Sequence, residues 1–401
     1  MHTKFYNQKK YLHIPIDNNL LAAIIICFSL INGAVGIANI SYLTIIISWI
    51  LFIYCLIEKK ANIYINAVFL IIYILVLFLF SYLFVSDSTY TSFYCMHFLG
   101  FGIISLLIGM QKLEIDKVEY YVENIGLVCN FIFLLGGFES YDASLEMGIM
   151  YSMLPVFLVS ISTLISWKWR VITILNILIS LYLYITVAPR GCWLAVTIFM
   201  IIYIYHIISS KRGKTRGIIR ITVITVIIIG IIYLYQNLSV VLNQINNIFS
   251  MITGNEIYAI NKFLYLLSQE NITNGRDVLG SLAIGIIKEN WILGKGIGYF
   301  EAQSGGSYTH NIILQAICEA GIFLLMPILI LLVGCSIYLL FCDVENKREY
   351  YFFLILFVNS IVQLFFSSVY WQNIMFWFFL GYTLKNGRYW FARRIKKNSN
   401  T

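Results

Sequence analysis

Apolar residues in this chain come in long unbroken runs, without the alternation of a half-buried strand and with little of the one-sided pattern of a soluble helix. Runs near 20–38, 40–57, 63–85, 94–110, 120–137 and 148–166 are followed by six more near 170–188, 191–208, 218–236, 320–341, 351–367 and 370–384. A membrane-crossing helix needs about 20 apolar residues, with about 17–25 tolerated, so the pattern predicts about twelve spans. Continuity excludes a β-barrel, whose strands would alternate apolar and polar positions. Asn, Gln and Gly inside several runs predict helices that pack on one another as well as on lipid. The expected fold is all-α: a polytopic integral membrane protein.

One region breaks the rhythm. Residues 236–319 hold no full-length apolar run but carry amphipathic helical signals. At roughly 80 residues this segment far exceeds an ordinary connection of about 4–6, so it is expected to be folded. The predicted layout is transmembrane helices 1–9 over 1–235, a large extracytoplasmic loop over 236–319, and helices 10–12 with a basic tail over 320–401.

Composition agrees. Of 401 residues, 60% are hydrophobic and 11% charged, with four prolines and a mean hydropathy of +0.83. A soluble protein is about 45–50% apolar and about 25% charged, so a water-soluble globule is excluded. The net charge of +8 would point to nucleic acid in a soluble protein. Here the placement of the charges gives another account, and no nucleic-acid partner is expected. With the N-terminus in the cytoplasm, alternate loops hold Lys59/Lys60, Lys112/Lys117, Lys168/Arg170, Lys211/Arg212/Lys214/Arg216 and Lys347/Arg348. The tail adds Lys385, Arg388, Arg393, Arg394, Lys396 and Lys397. With Lys4, Lys9 and Lys10 at the N-terminus and Arg220 just inside its span, about 22 of the 27 cations then share one side, leaving Arg190, Lys262, Arg276, Lys288 and Lys295 outside. Both termini are predicted inside. Met1–Leu20 is polar and basic without a small-residue cleavage site, so the first run is expected to be retained. Eight cysteines lie mostly in apolar runs, with no CxxC and no Cys/His spacing. They read as small core hydrophobes, and no metal or other cofactor is expected.

The candidate chemistry lies on the outer side. Arg190, in Ala188-Pro189-Arg190-Gly191, is the only cation in a short outside loop. A guanidinium at membrane depth costs about 2.5–3.5 kcal/mol, so it needs a partner or must snorkel to the interface. Arg276 follows Thr273-Asn274-Gly275, and Asn274 with Asp277 makes a start resembling a capping box. Leu279, Leu282, Ala283, Ile286, Ile287 and Trp291 then recur at helical spacing, predicting an amphipathic helix along the membrane surface. In its first turn the helix dipole disfavours a cation by about 0.3–1 kcal/mol. An anion docking on the exposed N–H groups would offset that, although a solvated arginine is the simpler reading. His310 ends the glycine-rich stretch 304–311, and an ordinary value near 6.5 suits it to proton transfer at neutral pH. Gly294, Gly296 and Gly298 match neither a dinucleotide fingerprint nor a Walker motif, and predict a tight turn. Gln315 and Glu319 lie one helical turn apart, placed to line a polar cavity or to pair with neighbours.

Gly275-Arg276, the stretch Trp291 to Phe300, His310-Asn311 and Glu319-Ala320-Gly321 follow one another in an order that resembles the O-antigen ligase/polymerase superfamily, the Wzy-type polymerases and WaaL-type ligases. Arg190-Gly191-Cys192-Trp193-Leu194-Ala195 resembles the other motif of that family, while Pro189 departs from it, where a small hydroxyl residue is common. The resemblance implies a GT-C-like, metal-independent glycosyltransferase on the outer side of a bacterial cytoplasmic membrane. Its donor and acceptor would be glycans on undecaprenyl diphosphate. Membrane lipid and a chain-length regulator would be its other partners. It also implies roles: Arg190 and Arg276 at the diphosphate, His310 activating or positioning the acceptor (or touching the diphosphate), and Tyr308, Asn311, Gln315 and Glu319 binding substrate. Arginine suits a diphosphate leaving group through its permanent charge and bidentate geometry. A bias toward Ile, Asn, Tyr and Lys, as in AT-rich genomes, tilts the expectation to a capsule or exopolysaccharide polymerase. A ligase transferring glycan to lipid A-core is the near alternative. A lipid-linked glycan transporter is the distant one, although transporters generally place their polar sites at midplane.

Overall fold

A computed structural model describes residues 16–35, 40–85, 87–136, 143–166, 170–186, 189–209, 237–254, 257–268, 275–341 and 346–398, with three isolated positions at 222, 225 and 230. Among the described residues the secondary structure is helical, without strands. In chain order the helices are α1 (Asn18–Ile26), α2 (Phe28–Val35), α3 (Ile40–Ile57), α4 (Ile65–Phe84), α5 (Thr89–His97), α6 (Ile103–Gly109), α7 (Ile115–Gly136), α8 (Ala143–Ile165), α9 (Val171–Thr186) and α10 (Arg190–Ser209). Shorter elements follow: α11 (Leu238–Thr253), α12 (Tyr258–Ser268), α13 (Arg276–Glu289), α14 (Tyr299–Gln303) and α15 (Ile312–Ala320). The chain ends in α16 (Ile322–Phe341), α17 (Lys347–Phe357) and α18 (Ile374–Asn398).

Among the described residues six stretches are long and apolar enough to cross a membrane: Ile65–Phe84, Thr89–Gly109, Ile115–Leu135, Met147–Ile165, Arg190–Ile208 and Ile322–Leu340. Each falls on an expected run. Thr44–Ile57 and Val171–Ile185 are apolar helices of shorter length. The run at 20–38 is divided at Cys27 between α1 and α2. The expected span near 218–236 lies almost wholly outside the described residues. Toward the C-terminus, α17 passes into a π-helical turn at Val358–Val362, and a non-helical stretch separates it from α18. The last helix continues past its apolar part to Asn398.

The surface is inverted relative to a soluble protein. Helix α4 exposes Phe69, Ile72, Val76, Leu79 and Leu83, the last at 74%, a face suited to lipid and not to water. Inside, α6 and α18 meet at Gly109 and Gly381, where an added Cβ would collide with the facing backbone. Small residues here let two backbones approach, as membrane helices require. Between α7 and α9, the Asn130 amide donates to Asn176 Oδ1 at 3.0 Å. The seven described cysteines are free thiols.

The helix ends fall into two groups. One gathers Lys60, Lys117, Arg170, Arg348 and Lys385 through contacts such as Asn18 to Lys60 O at 2.5 Å and Lys385 to Tyr64 Oη at 2.6 Å. The other joins the C-terminus of α4, the N-termini of α5, α10 and α16, and the short helices α13 to α15.

Candidate active site

Three segments distant in sequence supply the polar groups at this second end. The first is the start of α10. The Cys192 N–H donates to the Pro189 carbonyl at 2.9 Å, and Pro189 lacks an N–H that would otherwise go unpaired at a helix start. The Arg190 guanidinium sits over the Phe263 ring of α12, 4.8 Å from its centroid. Gly191 lies directly against the Tyr151 hydroxyl of α8, leaving no room for a side chain. That hydroxyl also hydrogen-bonds Ser367.

The second segment is α13. Its first residue is the exposed Arg276, preceded by Gly275 at φ 82° without a side-chain cap. Asn274, the expected capping residue, lies outside the described residues. The charge of Arg276 is felt at Arg190, Tyr151 and His310, which places all four in one neighbourhood. Among the described residues neither guanidinium is in an ion pair, and the two repel each other.

The third is the turn 308–311. His310 has φ 54°, a left-handed conformation for a residue with a side chain. Its ring lies 4.1 Å from the Tyr308 ring, and its buried Nδ1 has no partner among the described residues. Burial, then the Arg276 charge, hold the imidazole below its ordinary value, while the Phe366 carbonyl pulls the other way. The ring is therefore neutral at pH 7, the form that accepts a proton. Tyr308 Oη accepts the Ser368 N–H at 2.9 Å, locking this turn to the stretch after α17. Asn311 caps α15, accepting from Ile313 N at 2.9 Å and Leu314 N at 3.3 Å. Its side-chain oxygen is thus occupied within the fold.

Beneath the turn is a closed polar centre. Gln315 donates through Nε2 to Glu301 Oε1 at 2.8 Å and Glu319 Oε1 at 2.6 Å, and accepts the Thr309 N–H at 3.3 Å. Tyr94 donates to Glu301 at 2.9 Å. Trp371 Nε1 donates to Glu319 Oε2 at 2.8 Å, and the Tyr370 hydroxyl bonds the same oxygen. Both carboxyls are 1% exposed. Burial raises both Glu301 and Glu319 above the ordinary carboxyl range, and the two carboxyls oppose each other's charge. The glycine turn holds this layer in place. Gly294, Gly296 and Gly298 all have positive φ, which lets the chain thread between α4, α5 and the α15–α16 corner. There Gly296 N donates to Glu319 O at 2.8 Å, and Thr91 Oγ1 to Ile297 O at 2.6 Å.

An apolar groove of 460 Å³ shares Tyr370 and Trp371 with this centre. It lies between α4, α16 and α18, where Ile74, Leu331 and Leu380 also line it. Two polar atoms among its lining residues, Trp377 Nε1 and Thr383 Oγ1, are buried without a partner among the described residues.

Of the residues singled out in the sequence, Arg190, Arg276, His310 and Tyr308 come together. Gln315 and Glu319 lie one layer below, joined to them through Thr309. Sequence reading missed Tyr151, Ser367, Glu301, Tyr94, Tyr370 and Trp371. Only Glu301 carried a local signal, as an acid directly after the glycine turn. Among the described residues there is no cluster of three or more His, Cys, Asp or Glu side chains that could hold a metal ion. No protein-family model, curated protein or solved structure matches the chain.

Proposed function

We propose that the chain is a polysaccharide polymerase of the Wzy type, joining undecaprenyl-diphosphate-linked repeat units on the outer side of a bacterial cytoplasmic membrane. The observation that carries this reading is the meeting of Arg190 and Arg276, from separate segments and without carboxylate partners among the described residues, beside a neutral His310. Two unpaired guanidiniums held against mutual repulsion suit a multiply charged anion such as a diphosphate.

In the reaction, an acceptor sugar hydroxyl attacks the anomeric carbon of the donor. The bond from that carbon to the diphosphate oxygen breaks, and the electron pair leaves with undecaprenyl diphosphate. The hydroxyl proton passes to neutral His310, while the arginines stabilise charge growing on the leaving group. The apolar groove gives the polyprenyl tail a place beside the site, with the unpartnered Trp377 and Thr383 atoms available to polar parts of a lipid. The twelve-span, GT-C-like layout, with both termini inside and 236–319 outside, belongs to the same proposal. Its support is the gathering of Lys60, Lys117, Arg170, Arg348 and Lys385 at the end opposite the site.

The test gives purified protein in lipid nanodiscs a defined undecaprenyl-diphosphate repeat unit, with no other acceptor and no added metal. A ladder of longer glycans is expected. Transfer only to an added lipid A-core would make the chain a ligase, and lipid flipping without transfer would make it a transporter.

A further inference from the structure

The closed polar centre holds more acid than charge balance allows. Glu301 and Glu319 both accept from the single Gln315 Nε2, at 2.8 and 2.6 Å. An N–H fork of that size brings the two acceptor oxygens to about 4–5 Å of one another. The groups facing the pair are Tyr94 of α5, with Tyr90 beside it, Gln315 and Cys318 of α15, and Tyr370 and Trp371 before α18. None is a cation, and no cation among the described residues acts on either carboxyl. Two like charges so close, buried and without a counterion, do not both persist.

The hydrogen-bond inventory says which one is neutral. Glu319 takes three donors, from Gln315, Tyr370 and Trp371, and each stabilises its charged form. Glu301 takes two side-chain donors, both on Oε1; its own backbone N–H also favours its charged form, but its buried Oε2 has no hydrogen-bond partner among the described residues. A bare anionic oxygen there would cost far more than a neutral hydroxyl. The orientation of Gln315 follows. Its NH2 must face the two carboxyls, so its oxygen must face Thr309 N–H, one residue before His310.

We infer that Glu301 and Glu319 hold one proton between them, on Glu301 Oε2, and that this singly charged pair is a positioning element for the turn carrying His310. Losing the proton puts a second charge on the pair, which pushes its members apart and pulls Gln315 from Thr309. A carboxyl raised in the folded state binds its proton more tightly there than in the unfolded chain. Order that depends on it therefore weakens as pH rises through the folded value of the pair, which burial holds above the ordinary carboxyl range.

The two glutamates differ in a way that tests this. Glu301→Gln keeps an acceptor for Tyr94 and Gln315 and places its NH2 where no donor opposes it. Glu319→Gln must turn an NH2 against either Trp371 N–H, which only donates, or the Gln315 amide. Infrared spectra of the protein in nanodiscs, from pH 7 to 10, should show a protonated-carboxyl C=O band that disappears with rising pH and is absent from Glu301→Gln. Hydrogen exchange at 307–311 should rise in the native protein relative to Glu301→Gln as pH is raised through this range, and should be fast in Glu319→Gln at every pH. No band at pH 7, or a band unchanged in Glu301→Gln, overturns the shared proton. Equal exchange in native protein and Glu301→Gln across the range overturns the positioning role. Equal disruption by both substitutions overturns the placement of the proton. Only a last arm rests on the transfer reading: the ratio of polymerisation rates at pH 9 and pH 7 should be about threefold or more higher in Glu301→Gln, a change in pH profile that general destabilisation does not produce. If the native protein makes no polymer, that reading fails while the spectra and exchange still decide the pair.

Discussion

The two ends of the molecule treat arginine in opposite ways. At the end carrying most of the lysines, Arg170 pairs with Glu123, whose other oxygen accepts the Thr173 hydroxyl at 2.8 Å. Arg348 there bonds both Asp116 and Glu119, its Nε donating to Glu119 at 2.7 Å. At the other end Arg190 and Arg276 are both exposed; among the described residues Arg190 meets the face of Phe263, and Arg276 lies beside that second cation and a histidine. The first arrangement neutralises buried acids inside a bundle. The second concentrates positive charge and leaves it unspent, which costs stability unless an anion arrives.

Exchanging the roles of the two ends should therefore fail in opposite ways. Arg170→Ala or Arg348→Ala leaves a buried glutamate uncompensated and should destabilise the protein by about 3–5 kcal/mol. Thermal unfolding in nanodiscs would read this, and Arg170→Met with Glu123→Gln should recover much of the loss. Arg190→Ala or Arg276→Ala should leave the unfolding temperature unchanged or slightly raised, yet lower glycan transfer by about 100–1,000-fold. Near-native transfer by either variant would remove that residue from the diphosphate role. Equal thermal loss at both ends would erase the contrast between them.

His310 sharpens the comparison, because its environment is set by the unpaired end. His310→Ala should reduce transfer by about 100-fold or more. A base is competent only when neutral, so activity should fall as pH drops through its folded value. Burial and Arg276 hold that value below 6.5, so the acid limb should lie on the acid side of it. Arg276→Gln removes one of those influences, and the His310 resonance in a labelled sample should then titrate closer to 6.5. A titration unmoved by that change would mean the two side chains do not share a field.

How far all this was legible in the sequence depends on the range of the signal. Continuous apolar runs are local, so six of the expected spans coincide with helices of spanning length. The run at 351–367 was less legible, because hydropathy does not register the π turn at Val358–Val362 or the non-helical stretch that brings Ser367 to Tyr151. Arg190, Arg276 and His310 stood out because charge is rare in such a chain. Tyr94, Tyr151, Tyr370 and Trp371 did not, since tyrosine and tryptophan look the same at a lipid interface as at a carboxyl. Asn311 shows the converse. Its place beside His310 drew attention, but its side chain caps α15. The pairing of Glu301 with Glu319 arises only when the glycine turn folds back on α15, which no local pattern encodes.

The smallest expected effect separates the shape of the unpaired end from its charge. Gly191 touches the Tyr151 hydroxyl, so Gly191→Ala must displace either Tyr151 or the first turn of α10 that carries Arg190. Such overpacking costs about 1–3 kcal/mol, and a shift of about 1 Å in Arg190 would lower transfer by up to about 100-fold. Tyr151→Phe alone removes one hydrogen bond with Ser367 and should cost about 0.5–1.5 kcal/mol. Combined, the two changes are not additive, because removing the hydroxyl opens the space the methyl needs. Transfer by the double variant should exceed that of Gly191→Ala by about three- to tenfold, as read by polymer ladder at equal protein. Full additivity would show that Tyr151 does not set the position of Arg190, and that charge alone distinguishes this end of the molecule.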